Sequence, residues 1–504
     1  MKIAIALCGV CGAPRPEGLA RLAEHNGRVD LWWVADLCTD ADALRKIFES
    51  HVEYLIVLGA SAPEGREFLL ESAQAAGLHP LNVDFVDVPV PPTSAACEAV
   101  LRAAKAAVRD FREADERHVK PSNRVRGAVT RRSFLRGMHP SAVVAIPRIA
   151  EDRCRARSGC DLCVSACPSR ALELHGSLVR LRPAACTGCD RCVAACPTGA
   201  MENPFADYAR LHDRIGAWVQ ATAVHPRRLV LACTPSAIVA LRNVRRAKTT
   251  GTLFHELPCL GALRAHEYLD LLATGVDQIV CVRDARACEP AQQCWDPMPR
   301  ALAGITQMES LRDRVIEADP EELPAILQRP VPRRTRSRKG APFGSLHEGV
   351  AWAVGSKEGL VAIRGRGAGF IEIQEGRCTG CLVCRDRCPT AAIRVPADSQ
   401  ELRIEFEHKR CDACGLCETS CPEGALTVHP EVRLDLVDSH VTLFSDEWSR
   451  CRRCGAQVAP RRMLVELAQR IGRPVESFDV CPTCRLRGVG QPVSHPAAAG
   501  APIE

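Results

Sequence analysis

Sixteen cysteines fall into four runs whose spacing suits an iron–sulfur cluster. Cys378, Cys381, Cys384 and Cys388 follow the pattern C-x2-C-x2-C-x3-C-P. Cys411, Cys414, Cys417 and Cys421 repeat it, as do Cys186, Cys189, Cys192 and Cys196. In the remaining run, Cys154, Cys160, Cys163 and Cys167, residues 155–159 lengthen the first gap. Thiolates at i, i+3 and i+6 let one tight loop wrap three irons of a cubane, with backbone N–H groups facing the sulfurs. The fourth cysteine is expected to open the next short helix, where the missing N–H of the following proline costs nothing. It then points away from its own loop and ligates the neighbouring cluster. Crossing that ligand predicts four 4Fe–4S clusters. They are Cys154, Cys160, Cys163 with Cys196; Cys186, Cys189, Cys192 with Cys167; Cys378, Cys381, Cys384 with Cys421; and Cys411, Cys414, Cys417 with Cys388. The long first gap leaves a three-iron or altered-potential site open for the Cys154 set.

Two shorter pairs, Cys451 with Cys454 and Cys481 with Cys484, flank a helical stretch over 463–471. Two such knuckles make a tetrahedral sulfur site, read here as a structural zinc. A rubredoxin-type iron would use similar ligands, but the surrounding stretch lacks an aromatic shell to shield it. The other cysteines gather at strand ends. Cys8 follows the first strand, Cys11 lies just beyond, and Cys38 follows the second. Cys233, Cys259 and Cys281 end three later strands, with Cys288 and Cys294 in the loop after them. Ligands of open parallel sheets bind at this carboxyl edge, which makes these cysteines candidate ligands. Cys97 shares a helical stripe with Val100, Leu101 and Ala104 and reads as core.

The elements that position these residues follow from apolar patterning. Strands over 3–7, 31–35, 54–58 and 81–86 alternate with helices over 40–49, 64–76 and 95–112, which predicts a parallel sheet covered on both faces in 1–115. A basic linker, 116–148, leads to a dicluster module at 149–203 with a hairpin over 171–181. A second α/β unit, 204–327, has strands over 228–232, 253–257 and 278–282 and helices over 236–246 and 261–273. A proline- and arginine-rich linker region, 328–367, precedes a second dicluster module at 368–430, with hairpin strands over 393–407. A zinc-ribbon-like module at 445–488 and a disordered tail at 489–504 complete the chain. The predicted fold class is multidomain α/β and α+β: two parallel-sheet α/β units, two dicluster ferredoxin-like modules and the C-terminal ribbon.

Composition narrows the function. The 504 residues include 29 cysteines, too many and too uneven for a disulfide framework, so most thiols are read as reduced metal ligands. A net charge of +6 and 4% aromatics give no footing for nucleic acid. No apolar run approaches the roughly 18 residues of a membrane span. The first residues read as a strand rather than a signal peptide, and the Arg131–Arg132 pair, far from the N-terminus, reads as linker rather than export signal. A cytoplasmic location is expected. Gly365, Gly367 and Gly369 run into a strand-like segment, so no flavin or NAD site is expected. No nucleophile–base pairing appears, and no catalytic residue is assigned.

Three stretches resemble known families. The four long runs are similar to those of dicluster bacterial-type ferredoxins. The N-terminal stretch, with Cys8, Cys11, Gly12 and Cys38 and the segment from Tyr54 to Pro63, resembles the N-terminal domain of heterodisulfide reductase A-type proteins. That resemblance implies a further cluster on Cys8, Cys11 and Cys38, whose completeness stays open because Ser61 stands where the family usually has cysteine. The segments ending in Cys233, Cys259 and Cys281, followed by Cys288, resemble the iron–sulfur (delta) subunit of methyl-viologen-reducing hydrogenases. This implies a 2Fe–2S centre drawn from Cys233, Cys259, Cys281, Cys288 and Cys294 that passes electrons to a heterodisulfide-reductase-type partner. The expected function is an electron-transfer subunit between a hydrogenase- or formate-dehydrogenase-type donor and a heterodisulfide-reductase-like acceptor. An oxidoreductase with a strand-edge cluster as active site, and a redox-sensing scaffold, are the alternatives.

Overall fold

The computed structural model describes residues 3–8, 29–58 except 38, parts of 68–78, 83–86, 119–120, 144–283 except 204, 205, 207 and 248, 311–396 except 332–336, 339 and 364, and 401–486. Cys11, Cys38, Cys97, Cys288, Cys294, Ser61, the Arg131–Arg132 pair, the helix expected over 95–112 and the tail lie outside the described residues. The chain divides into two compact units, one of Met1–Arg157 with Asp161–Gly355, the other of Ser158–Cys160 with Ser356–Glu504.

The first unit opens with a parallel sheet ordered Val29–Val34, Ile3–Cys8, Tyr54–Leu58, Val83–Val86. Unbroken apolar runs produce it: Ala4 to Cys8 and Tyr54 to Leu58 are buried throughout, as strands covered on both faces must be. The second strand begins at Val29, two residues before the expected 31, because its pairing with Ile3 sets the register. Asp40 caps helix Ala41–Glu49 by accepting the Ala43 N–H at 2.9 Å, and that helix lays Leu44 and Ile47 into the core. Burying each is worth about 1.5–3 kcal/mol.

A second parallel sheet is ordered Thr252–Leu257, Arg228–Cys233, Gln278–Val282, Val315–Ala318. Its last strand was not foreseen, being four residues with no alternating pattern. Side chains alternate across the sheet. Val230, Ala232, Val280 and Val282 pack against helices Thr234–Ala247 and Leu323–Gln328. Cys233 and Cys281 therefore face the other side. Part of the stretch expected as linker, 328–367, is folded: Ser345 caps helix Leu346–Val354. Gly349 lets that helix lie on Leu269, since a Cβ there would come within 2.9 Å of Leu269 Cδ1.

The two cysteine-dense segments share one plan. Arg148–Ile149 pairs antiparallel with Met201–Glu202, as Phe370–Ile373 does with Leu426–His429. Between the runs of each pair lies the expected hairpin, Leu172–His175 with Leu178–Leu181 and Ile393–Arg394 with Glu401–Glu407. In the second unit the sheet continues past 430. Glu401–Glu407 also pairs with the eleven-residue strand His440–Arg450, which pairs in turn with Gln457–Pro460. Sequence patterning separates the ferredoxin segment from the terminal knuckles; a single four-stranded sheet runs through both.

Candidate metal centres

The four long runs repeat one backbone path. The residue before the second cysteine has positive φ in each, at Gly159, Gly188, Gly380 and Ala413. So does the third residue after the fourth cysteine, at Arg170, Gly199, Ala391 and Gly424. Asp190, Leu382 and Gly415 add a left-handed residue just before the helix that carries the third cysteine, whereas Asp161 in the first run has φ −124°. Left-handed backbone costs a non-glycine residue about 1–2 kcal/mol, so its recurrence at non-glycine positions marks a path fixed by the site. The fourth cysteine does not open a helix as expected. Cys196 and Cys388 cap the C-terminal end of the helix holding the third cysteine, and a turn follows. The proline thus sits in a turn, where its fixed φ is equally suited.

Backbone donors face the sulfurs. The N–H groups of Ala171, Ala392 and Ala425 donate to Cys167, Cys388 and Cys421 at 3.2, 3.3 and 3.3 Å, each four residues along, and Gly188 donates to Cys186 at 3.4 Å. The structure also brings cysteines together across the runs. A small cavity is lined by Cys378, Cys381, Cys384 and, from the other run, Cys421, with Leu382 and Ile404 among its apolar walls. Burial first, then charge repulsion among these thiols, Cys421 included, pushes Cys384 up to about 12 and raises Cys378. In the opposite direction, burial and repulsion that includes Cys388 hold Cys414 at about 11 and Cys417 at about 12. In the first unit burial raises Cys186, and Cys167 adds to that rise. Crowded buried thiols are unstable as bare thiolates, and a bound metal centre is what ionises such ligands. Donor set, burial and sulfur-facing N–H groups all fit an iron–sulfur cubane.

At the C-terminus the sulfurs of Cys451, Cys454, Cys481 and Cys484 lie within 4.8 Å of one another. The Cys481 N–H donates to the Cys451 sulfur at 3.3 Å and the Cys484 N–H to the Cys481 sulfur at 3.4 Å. Helix Arg461–Ile471 separates the pairs, two residues longer than expected. Four converging thiols fit a tetrahedral ion.

The strand-end cysteines are placed less uniformly. Cys8 ends its strand fully buried. Cys233 ends its strand with Ser236 Oγ 3.4 Å from its sulfur. Cys281 lies deeper, paired with Leu231 and hydrogen-bonded to Tyr268; burial pushes it up to about 12. Cys259 stands just past its strand and donates to the carbonyl of Cys189 at 3.3 Å, inside the cluster-binding loop of the first module. Gly261 permits the approach, since a Cβ there would lie 2.9 Å from that same oxygen. Spacing within either segment does not disclose this contact. Asp190, buried and bonded to Asn203 at 2.8 Å, carries no signal in sequence either; burial pushes its carboxyl up to about 8.

Comparison with protein families gives two matches, both described as a 4Fe-4S dicluster domain, over residues 139–200 and 377–426. A search of curated proteins returned no match. Among the described residues no helix is long and apolar enough to cross a membrane. The chain therefore carries two 4Fe–4S dicluster domains within a mixed α/β architecture, which points to electron transfer.

Proposed function

We propose that this chain is an iron–sulfur electron-transfer subunit linking a hydrogenase- or formate-dehydrogenase-type donor to a heterodisulfide-reductase-like acceptor in the cytoplasm. The observation that carries the reading is the pairing of fourth cysteines across runs, clearest where Cys421 joins Cys378, Cys381 and Cys384 around one cavity. Cys388 then completes the set of Cys411, Cys414 and Cys417, and Cys167 that of Cys186, Cys189 and Cys192. Cys196 completes Cys154, Cys160 and Cys163 by the same repeat. Bound clusters supply one-electron storage. The chain's own residues exclude water and aim N–H groups at the sulfurs, which tunes potential.

The remaining assignments extend this reading. A 2Fe–2S centre draws its ligands from Cys233, Cys259, Cys281, Cys288 and Cys294, and a further cluster uses Cys8, Cys11 and Cys38. Cys451, Cys454, Cys481 and Cys484 hold a structural zinc. The contact of Cys259 with the Cys189 carbonyl supports conduction within the chain, because it puts the middle cysteines against a cluster loop. The test is an anaerobic reductive titration with dithionite. Four cubanes accept about four electrons per chain, and uptake below about two would defeat the proposal.

A further inference from the structure

The second unit carries a surface that the cluster assignments do not use. Residues 450–486 contain eight arginines and three carboxylates, while the whole chain of 504 residues has a net charge of only +6. Arg470 pairs with Glu423 and Glu466, Arg462 donates to the Glu375 carbonyl, and Arg453 donates to the Cys484 carbonyl at 3.3 Å. Arg452, Arg461, Arg473 and Arg485 are exposed and form no ion pair among the described residues. Two of these, Arg452 and Arg485, each adjoin a cysteine of the four-sulfur knuckle. The same stretch also leaves apolar side chains uncovered. Leu467 and Ile471, one turn apart on the helix, are 37% and 53% exposed, and Leu486 is 88% exposed. Exposed apolar side chains together with cations that form no ion pair are what a protein-docking surface offers.

The same face adjoins a cluster cavity. Pro460, just before the helix, sits where a Cβ on Gly380 would meet it at 3.2 Å, and Arg470 reaches Glu423 in the cavity wall. No aromatic side chain is exposed over 450–486, so the stacking platform of a single-strand nucleic-acid site is missing there.

We infer that the knuckle and helix Arg461–Ile471 form the docking face for an electron-transfer protein with an acidic surface, and that electrons cross there to or from the Cys378 cavity. This rests on the electron-transfer reading. Basic faces of this kind speed encounter by long-range steering that salt suppresses.

The experiment uses the full chain with its clusters, reduced in stopped flow by a small acidic ferredoxin. Wild type is compared with the triple variant Arg452→Glu, Arg473→Glu, Arg485→Glu and with a charge-matched control, Arg45→Glu, Lys46→Glu, Arg246→Glu. The docking variant should lose about tenfold in second-order rate at low ionic strength, with the gap closing near about 0.5 M salt. The control should stay within about twofold. Iron content and reduced EPR spectra check that each variant keeps its clusters. If the triple variant misfolds, Leu467→Ser with Ile471→Ser supplies the readout, with an expected loss of similar size that salt does not erase. Equal rates in docking and control variants would overturn the inference, as would loss of nucleic-acid or anionic-vesicle binding with unchanged electron transfer. Reduction by dithionite but never by the ferredoxin would defeat the docking face alone. Failure of dithionite as well would defeat the electron-transfer reading.

Discussion

Replacing Cys421 with alanine separates the crossed ligand plan from a plan in which each run holds its own cluster. Cys421 belongs by sequence to the run of Cys411, Cys414 and Cys417, yet it lines the cavity of Cys378, Cys381 and Cys384. Its sulfur accepts the Ala425 N–H at 3.3 Å. With four cubanes the chain holds about sixteen irons, and losing one cluster leaves about twelve. The diagnostic is the double variant. Cys378→Ala with Cys421→Ala should lose no more iron than either single change, because both strike one cluster. Cys411→Ala with Cys421→Ala should strike two and leave about eight irons. Iron and acid-labile sulfide per chain, measured on protein purified anaerobically, give the answer. Additive loss for the first pair and non-additive loss for the second would refute the crossed plan.

Three further outcomes follow from named contacts. Gly261→Ala should push the Cys189 carbonyl away, destabilise the protein by about 1–3 kcal/mol and shift the EPR signal of the adjoining cluster; an unchanged spectrum would remove the contact from the electron path. Cys481→Ala should abolish about one zinc per chain and raise amide exchange along Arg461–Ile471, whereas retention of zinc would contradict the four-thiol site. His408, fully buried and accepting the Arg433 N–H at 2.9 Å, is lowered by burial to about 4. The unfolded chain binds a proton there from about pH 6.5 downward while the fold resists it to about 4, so stability should fall over that window by on the order of 3 kcal/mol. His408→Gln should flatten this slope in urea melts at pH 7.5 and 5, and an identical slope would dismiss the role.

The cysteine runs of the two dicluster domains were legible because metal ligation fixes local spacing. Both parallel sheets were legible because strands Ile3–Cys8, Tyr54–Leu58, Arg228–Cys233 and Gln278–Val282 each carry an apolar run, broken only by a leading polar residue in the last two, between helical patterns. What sequence did not disclose depends on partners distant in the chain. Strand His440–Arg450 is rich in charged and polar residues, and only its pairing with Glu401–Glu407 makes it part of the ferredoxin sheet. Helix Leu346–Val354 was hidden by the arginine-rich stretch before it, and its place depends on the small Gly349 facing Leu269. The misplacement of the fourth cysteine came from giving proline its helix-start role when a turn satisfies the same φ. The meeting of Cys259 with Cys189 joins residues 70 apart, beyond any local pattern.

Whether one chain holds four cubanes is read from iron, zinc and acid-labile sulfide per chain after anaerobic purification, with EPR of the reduced protein. Four cubanes beside the terminal four-thiol site should give about sixteen irons or more with about one zinc and cluster signals that broaden one another. About eight irons or fewer, with zinc in excess, would contradict it and leave one dicluster domain without its clusters.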